Sequence, residues 1–455
     1  MVATRDEIDA LLDGVLIRSE AEQTEVLYLA QDAALTRFAT NQIHQNVREH
    51  DASVQVRVID DGRVGVASTN RLDDGGIADV VARATTIAMR AAPNPNAAVL
   101  PDPDDVEHDP DLGYVAATAE ATPERRAGGA RAVIAAGMAQ GLETSGSFAT
   151  SVMTTAVANS RGIRARHRGT QAALVTVMMD GFASGAASGY ANAGSPDIGD
   201  VDAEALGLEA ARKGADMRGA GELEPGEYEV VLEEYAVAGL LEYLSFIGFS
   251  GLAYEEGRSF MELGKQVTGA NVTIRDDGHD ATGLPSPIDF EGVVRRRVDL
   301  IEAGVARAVV HDAATARRAG MASTGHALPA PNTWGPMATN LFMAPGEAER
   351  STLASGIERG VWVTRFHYIN PVHPKKAILT GMTKDGTFLI EDGKLTRPLL
   401  NFRFTQSIPE AFGSIRAISG GTKLVPGEYF GACRVPALRI ESFNFTGVTA
   451  PEADG

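Results

Sequence analysis

Two neighbouring side chains that could move a proton or hold a metal interrupt an apolar stretch of the sequence. Glu242 and Tyr243 lie in the run "AVAGLLEYLSFIGFSG", from Ala236 to Gly251. Three leucines and an isoleucine of this run recur at helical spacing, which predicts a helix with one face in a core. On periodicity alone, Glu242 lies on another face of that helix, in solvent or paired with a cation.

Histidines are the next candidates for chemistry. The nine histidines contain no pair at the i, i+4 spacing of a zinc-binding helix. His367 and His373 are separated by an Asn-Pro step, which keeps the backbone between them non-helical. A loop could bring both imidazoles and the single cysteine, Cys433, onto one zinc ion. The simpler interpretation, which the sequence favours, is two loop histidines and an isolated buried thiol.

The composition describes an acidic globular chain. Its 455 residues include 41 basic and 60 acidic side chains, for a formal net charge of −19. Such a charge repels phosphates and anionic lipids, so neither nucleic acid nor a membrane is an expected partner. One cysteine allows no intramolecular disulfide, and the N-terminal text lacks a basic and apolar leader pattern. We therefore expect a cytoplasmic protein.

The chain divides near residue 218. Residues 1–218 read as an α/β region of helices and hairpin strands, in two sub-segments split by the acidic, proline-rich stretch 92–113. Residues 219–455 carry short strands between dense prolines and glycines, which predicts a strand-rich, barrel-like domain. The expected fold class is α+β.

Local signals place several elements. Thr4 and Glu7 have the spacing of a capping box, so a helix is expected from about Arg5. The pair Asp61-Gly62 separates two alternating apolar runs and predicts a hairpin turn. Thr122 followed by Pro123 predicts another helix start.

Six stretches between Tyr228 and Gly447 carry a resemblance to a known family. They are "VVLEEYAVAGLLEYLSFIGFSGLAYEEGRSFM", "DFEGVVRRRVDLIEAGV", "ARRAGMASTGHA", "TNLFMAPGE", "FLIEDGKLTRPLLNFRFTQS" and "PALRIESFNFTG". In this order they resemble the TldD/PmbA family, the so-called modulators of DNA gyrase. "LTRFATNQIHQNV" and the hairpin after it extend the resemblance to the N-terminal region.

The resemblance implies where a zinc site would lie. Metal-bearing subunits of that family carry H-E-x-x-x-H on this helix, and its three defining positions fall here on Glu242, Tyr243 and Ile247. Isoleucine cannot bind zinc, and tyrosine is a poor general base at neutral pH. Cys433 stands three residues before Pro436, whereas the family's cysteine lies well upstream of that strand, so it is not the equivalent residue.

The resemblance therefore implies a PmbA (TldE)-type subunit without its own zinc or other cofactor. A TldD-type partner would supply zinc, and the pair would enclose a chamber and act on unfolded peptides. Two alternatives stay open. One is a self-contained metallopeptidase using His367, His373 and Cys433, with or without Glu242. The other is a homodimeric peptide-binding scaffold without catalysis, which captures extended peptides by strand addition.

Overall fold

A computed structural model describes residues 3–93, 99–181, 187–428 and 431–448 of the chain. Part of the stretch 92–113, residues 94–98, lies outside these ranges. In the described part, no helix is both long and apolar enough to cross a membrane.

The N-terminal region forms one antiparallel sheet with the strand order β3-β2-β1-β4-β5-β6. The six strands are β1 (Gln23–Ala39), β2 (Gln42–Asp60), β3 (Arg63–Thr69), β4 (Glu143–Asn159), β5 (Arg164–Met179) and β6 (Ser188–Ser195). Each sub-segment contributes three adjacent strands, so the two share a sheet. The predicted hairpin is confirmed, because Asp61 and Gly62 join β2 to β3 with positive φ angles.

Helices cover one face of this sheet. They are α1 (Arg5–Arg18), α2 (Asp74–Arg90), α3 (Ala116–Ala119), α4 (Pro123–Ala139) and α5 (Ala203–Asp216). The capping box of Thr4 with Glu7 and the Thr122 cap are both present, as predicted. Alternate strand residues pack against α1, α2, α4 and α5 in two apolar clusters. The opposite face meets the C-terminal domain through an apolar cluster that includes Leu27 and Val293.

The C-terminal domain contains eleven described strands in one sheet. They are β7 (Gly226–Leu232), β8 (Ile274–Asp276), β9 (Val298–Glu302), β10 (Val305–Ala306), β11 (Asn340–Met343), β12 (Arg359–His373), β13 (Ile378–Glu391), β14 (Lys394–Pro398), β15 (Phe402–Ser407), β16 (Ile415–Pro426) and β17 (Ala432–Val448). The helices are α6 (Glu234–Ile247), α7 (Gly251–Glu255), α8 (Ala313–Arg318) and α9 (Ile408–Gly413).

Five strands of this sheet close into a ring. The order is β7-β12-β13-β15-β17, and β17 pairs with both β15 and β7. Closure removes the free edges of these strands, and it confirms the expected barrel-like domain and the α+β class. Helix α6 follows β7 and packs on β12 and β17. The helix that contains Glu242 and Tyr243 therefore lies against the strands of the barrel.

Candidate functional site

Helix α6 is buried on all sides except one. Ten of its fourteen residues are buried. The other four are Gly239, Glu242, Tyr243 and Phe246, all partly exposed. Their spacing of i, i+3, i+4 and i+7 puts them on one stripe of the helix. The predicted position of Glu242 away from the core face is therefore confirmed, whereas Ile247 is only 3% exposed and packs in the core.

Glu242 lies between a loop and a buried thiol. Its Oε2 accepts a hydrogen bond of 3.0 Å from the backbone N–H of Glu428. Burial raises the pKa of the Cys433 thiol, and the negative charges of Glu242 and Asp276 raise it further. Cys433 is therefore a protonated thiol at neutral pH, and a thiol must lose its proton to bind zinc.

Aromatic side chains continue the accessible stripe. The ring centroids of Tyr243 and Phe246 are 5.3 Å apart, and those of Phe246 and Trp334 are 5.6 Å apart. Trp334 is 55% exposed. These three rings form a row that can contact apolar groups of a ligand beside the Glu242 carboxylate.

The end of β12 lies against the start of the stripe. A Cβ atom placed on Gly239 would be 3.2 Å from Cδ1 of Ile369, so the helix and the Ile369 side chain of β12 lie in close contact here. His367 precedes this contact by two residues. Its pKa is lowered by burial and by the charges of Arg365 and Lys384, so the imidazole is neutral at neutral pH.

The structure separates the three residues considered as zinc ligands. His373 ends β12 opposite Ile378, while Cys433 is buried on β17 between β11 and β16. Across the described ranges, no group of three or more His, Cys, Asp or Glu side chains is placed to hold a metal ion. His367, His373 and Cys433 therefore do not form a ligand set in this arrangement.

A buried ionic network fixes the first turn of α6, and no sequence motif indicated it. Lys213 of α5 donates to Glu233 Oε2 at 2.6 Å and to Glu209 Oε1 at 2.8 Å. Trp362 Nε1 donates to the other oxygen of Glu233 at 2.7 Å. Burial raises the pKa of Glu233, but the positive charges of Lys213 and Arg350 outweigh burial and lower it to about 2.

Charges balance in this network, which we call the α6 clamp. It comprises Glu209, Lys213, Glu233, Glu234, Arg350 and Lys423, three anions and three cations. Lys423 also donates to the hydroxyl of Tyr235 on α6. The clamp ties α6 to α5 of the N-terminal region and so restrains the orientation of the helix and of its accessible stripe.

A second group of buried charges joins the N-terminal sheet to the C-terminal domain. One nitrogen of Arg57, Nη2, contacts Glu25 Oε2 at 2.7 Å and Glu291 Oε1 at 2.9 Å. Two carboxylates thus share one guanidinium away from water. Burial raises the pKa of Glu25 to about 7, more than Arg57 lowers it.

We expect this group to make stability depend on pH. Because the folded pKa of Glu25 lies above its unfolded value near 4.5, the folded state binds an extra proton between these values. Stability should therefore fall as pH rises from about 4.5 through 7. Glu25→Gln should remove up to about 3 kcal/mol of this dependence. Unfolding midpoints at pH 5.5 and 8 measure it. Glu49→Gln, at an exposed site on β2, should keep the wild-type difference, and a Glu25→Gln curve parallel to wild type would contradict the assignment.

Sequence comparisons match three domains of one family in order along the chain. The PmbA/TldA metallopeptidase domain 1 matches residues 25–88, the central domain 101–218 and the C-terminal domain 225–447. Metalloprotease PmbA of Escherichia coli O157:H7 is 28% identical over 285 residues, covering 61% of this chain and 63% of that protein. A TldD homologue described as a metalloprotease in Buchnera aphidicola is 26% identical over 214 residues, covering 44% of this chain and 42% of that protein. The matches thus span less than two thirds of these curated relatives.

Solved structures show the same fold. TldE from Thermococcus kodakarensis superimposes with a TM-score of 0.86 at 20% identity, over 97% of this chain and all of that one. A Thermotoga maritima protein described as a candidate modulator of a DNA gyrase gives 0.84 at 18% identity, over 96% of this chain and all of that one. At these identities the likeness is one of fold.

Proposed function

This chain belongs to the PmbA/TldD metallopeptidase family, and we propose that it is the non-metal subunit of a two-component zinc metallopeptidase. The proposal rests on which residues stand at the three positions where metal-bearing subunits carry the zinc motif. Glu242 and Tyr243 stand on the accessible stripe of α6, and Ile247, at the third position, is buried in the core. A helix with this stripe offers a surface to a ligand but carries no imidazole to bind zinc.

In this proposal the chain shapes the peptide chamber. The α6 clamp holds the helix, and the row from Tyr243 to Trp334 offers apolar contact to an extended peptide. Zinc held by a TldD-type partner would supply the Lewis acid and the activated water. Unfolded peptides are the proposed substrates. The single cysteine suits the reducing cytoplasm, where we place the complex.

Activity of the assembled pair tests the proposal. The chain alone should show no peptidase activity, and activity should appear on mixing with the partner that carries H-E-x-x-x-H. Replacing the motif glutamate of that partner with glutamine should lower kcat by about 10²–10⁴-fold, because the general base is lost.

Variants of this chain separate the proposal from a self-contained site. His373→Ala and Cys433→Ser should leave the turnover of the pair unchanged at a saturating concentration of the partner, because neither side chain lies on the accessible stripe of α6. Peptidase activity in the isolated chain that either substitution abolishes would contradict the proposal and establish the alternative ligands.

A further inference from the structure

The segment that joins β12 to β13 exposes apolar side chains. We define the β12–β13 tip as residues 367–376, "HYINPVHPKK". Tyr368 is 71% exposed and Val372 is 57% exposed. Pro371 between them is also exposed. Two large apolar side chains on one short segment form a surface that burial against another molecule would stabilise.

Tyr368 occupies a conformation that disfavours a side chain. Its φ angle is +51°, inside an irregularity of the β12–β13 pairing between His367 and Asn370. Residues with a Cβ atom adopt this left-handed region at a cost in free energy, and glycine adopts it readily.

Packing within the chain does not explain why a tyrosine stands at position 368. Its ring lies against the imidazole of His367, with centroids 4.4 Å apart, but most of its surface faces solvent. Its hydroxyl makes no hydrogen bond to any residue in the described ranges. A strained, exposed aromatic side chain of this kind points to a contact outside the chain.

The charge of the tip is opposite to that of the chain. The tip contains Lys375 and Lys376 but no acidic residue, on a chain with a net charge of −19. Glu262 lies outside the tip, and its carboxylate interacts electrostatically with Lys375. This carboxylate accepts a hydrogen bond from Lys265. Both lysines of the tip are exposed. A surface with apolar centre and cationic rim fits a partner with an apolar site and carboxylates around it.

We propose that the β12–β13 tip docks on such a surface of the zinc-bearing partner subunit. This inference rests on the proposed function, which supplies the partner. Ile369, next to Tyr368, packs on Gly239 of α6. Docking at the tip therefore brings the partner beside the accessible stripe of α6, where the chamber is proposed.

Affinity measurements between the two purified subunits test the proposal. Tyr368→Gly combined with Val372→Ser should weaken binding at least about tenfold, as removal of central apolar contacts does. Lys375→Glu with Lys376→Glu should also weaken binding, and this loss should depend on salt concentration. Tyr368→Gly alone should leave the unfolding midpoint unchanged or higher, because the strained tyrosine is gone. A residue with only a structural role would not separate binding from stability in this way.

A matched control lies on the next hairpin of the same domain. Leu395 is exposed beside Lys394, just after the tight turn from β13 to β14. Leu395→Ser with Lys394→Glu should bind the partner as wild type does. If the wild-type chain binds but the tip variants bind equally well, or if the control loses as much affinity, the docking assignment fails and the proposed function stands. If the tip variants pair normally but raise KM for peptides, the tip contacts substrate instead. A wild-type chain that does not bind the partner overturns both proposals.

Discussion

Lys213→Met is expected to lower the free energy of unfolding by about 3–5 kcal/mol. Lys213 is 1% exposed, and its ammonium is the shared donor to Glu209 and Glu233. Methionine fills similar space but leaves these carboxylates without that cation. The carboxylate of Glu233 is destabilised most, because it is buried and its pKa of about 2 depends on Lys213 and Arg350.

Urea unfolding curves of wild type and variant measure this loss. The control is Arg212→Met, one residue earlier, where an exposed guanidinium pairs with Asp216 on the same helix. Such surface pairs contribute about 0–1 kcal/mol, so the control substitution should change the free energy of unfolding very little. A Lys213→Met loss below about 1 kcal/mol would mean that the α6 clamp does not stabilise the joint between the regions.

Phe404→Ala is expected to cost about 3–5 kcal/mol, the usual loss for a large aromatic side chain in a core. Phe404 is buried on β15, and its ring centroid is 4.4 Å from that of Phe366 and 5.4 Å from that of Phe443. These three rings belong to three strands of the closed ring, β15, β12 and β17. Truncation therefore leaves a cavity where the barrel strands meet.

Thermal unfolding followed by circular dichroism measures the effect, with Leu395→Ala as the control. Leu395 is an exposed apolar residue on β14, outside the ring, and its truncation should change stability by less than about 0.5 kcal/mol. Equal effects of the two substitutions would contradict the central place of Phe404 in the core.

Signals that act over a few residues predicted the local elements correctly. The Thr4 capping box and the Thr122 cap depend on side chains that bond their own neighbouring backbone, and the Asp61-Gly62 turn depends on two residue types that tolerate positive φ angles. Such contacts are written in short sequence patterns and do not depend on the rest of the fold. The helical spacing around Glu242 likewise predicted which face of α6 is turned away from the core.

Contacts between distant residues could not be read in this way. Barrel closure depends on β17 returning to pair with β7, some two hundred positions earlier in the chain, as in the register of Leu438 with Leu232. The α6 clamp joins Glu233 to Lys213 and to Arg350, which belong to separate parts of the chain. Neither barrel closure nor the α6 clamp follows a rule of sequence spacing, because tertiary packing alone brings these residues together. The left-handed Tyr368 was also unforeseen, since sequence patterns expect glycine or asparagine there.

Helix α6 connects these features to the proposed function. Its buried faces pack on the barrel, its first turn is held by the α6 clamp, and its one accessible stripe carries Glu242 beside aromatic rings. These contacts restrict the movement of the helix. That rigidity suits a chamber wall, whose contacts with a peptide lose less affinity to conformational entropy when the wall is fixed beforehand.

The zinc content of the purified chain decides whether it holds a metal ion of its own. The chain should be purified alone and with the proposed TldD-type partner, dialysed against metal-free buffer, and analysed for zinc per polypeptide. We expect about one zinc per pair and a negligible amount in the isolated chain, because α6 lacks the imidazoles of a catalytic site. One tightly held zinc per isolated chain would contradict it.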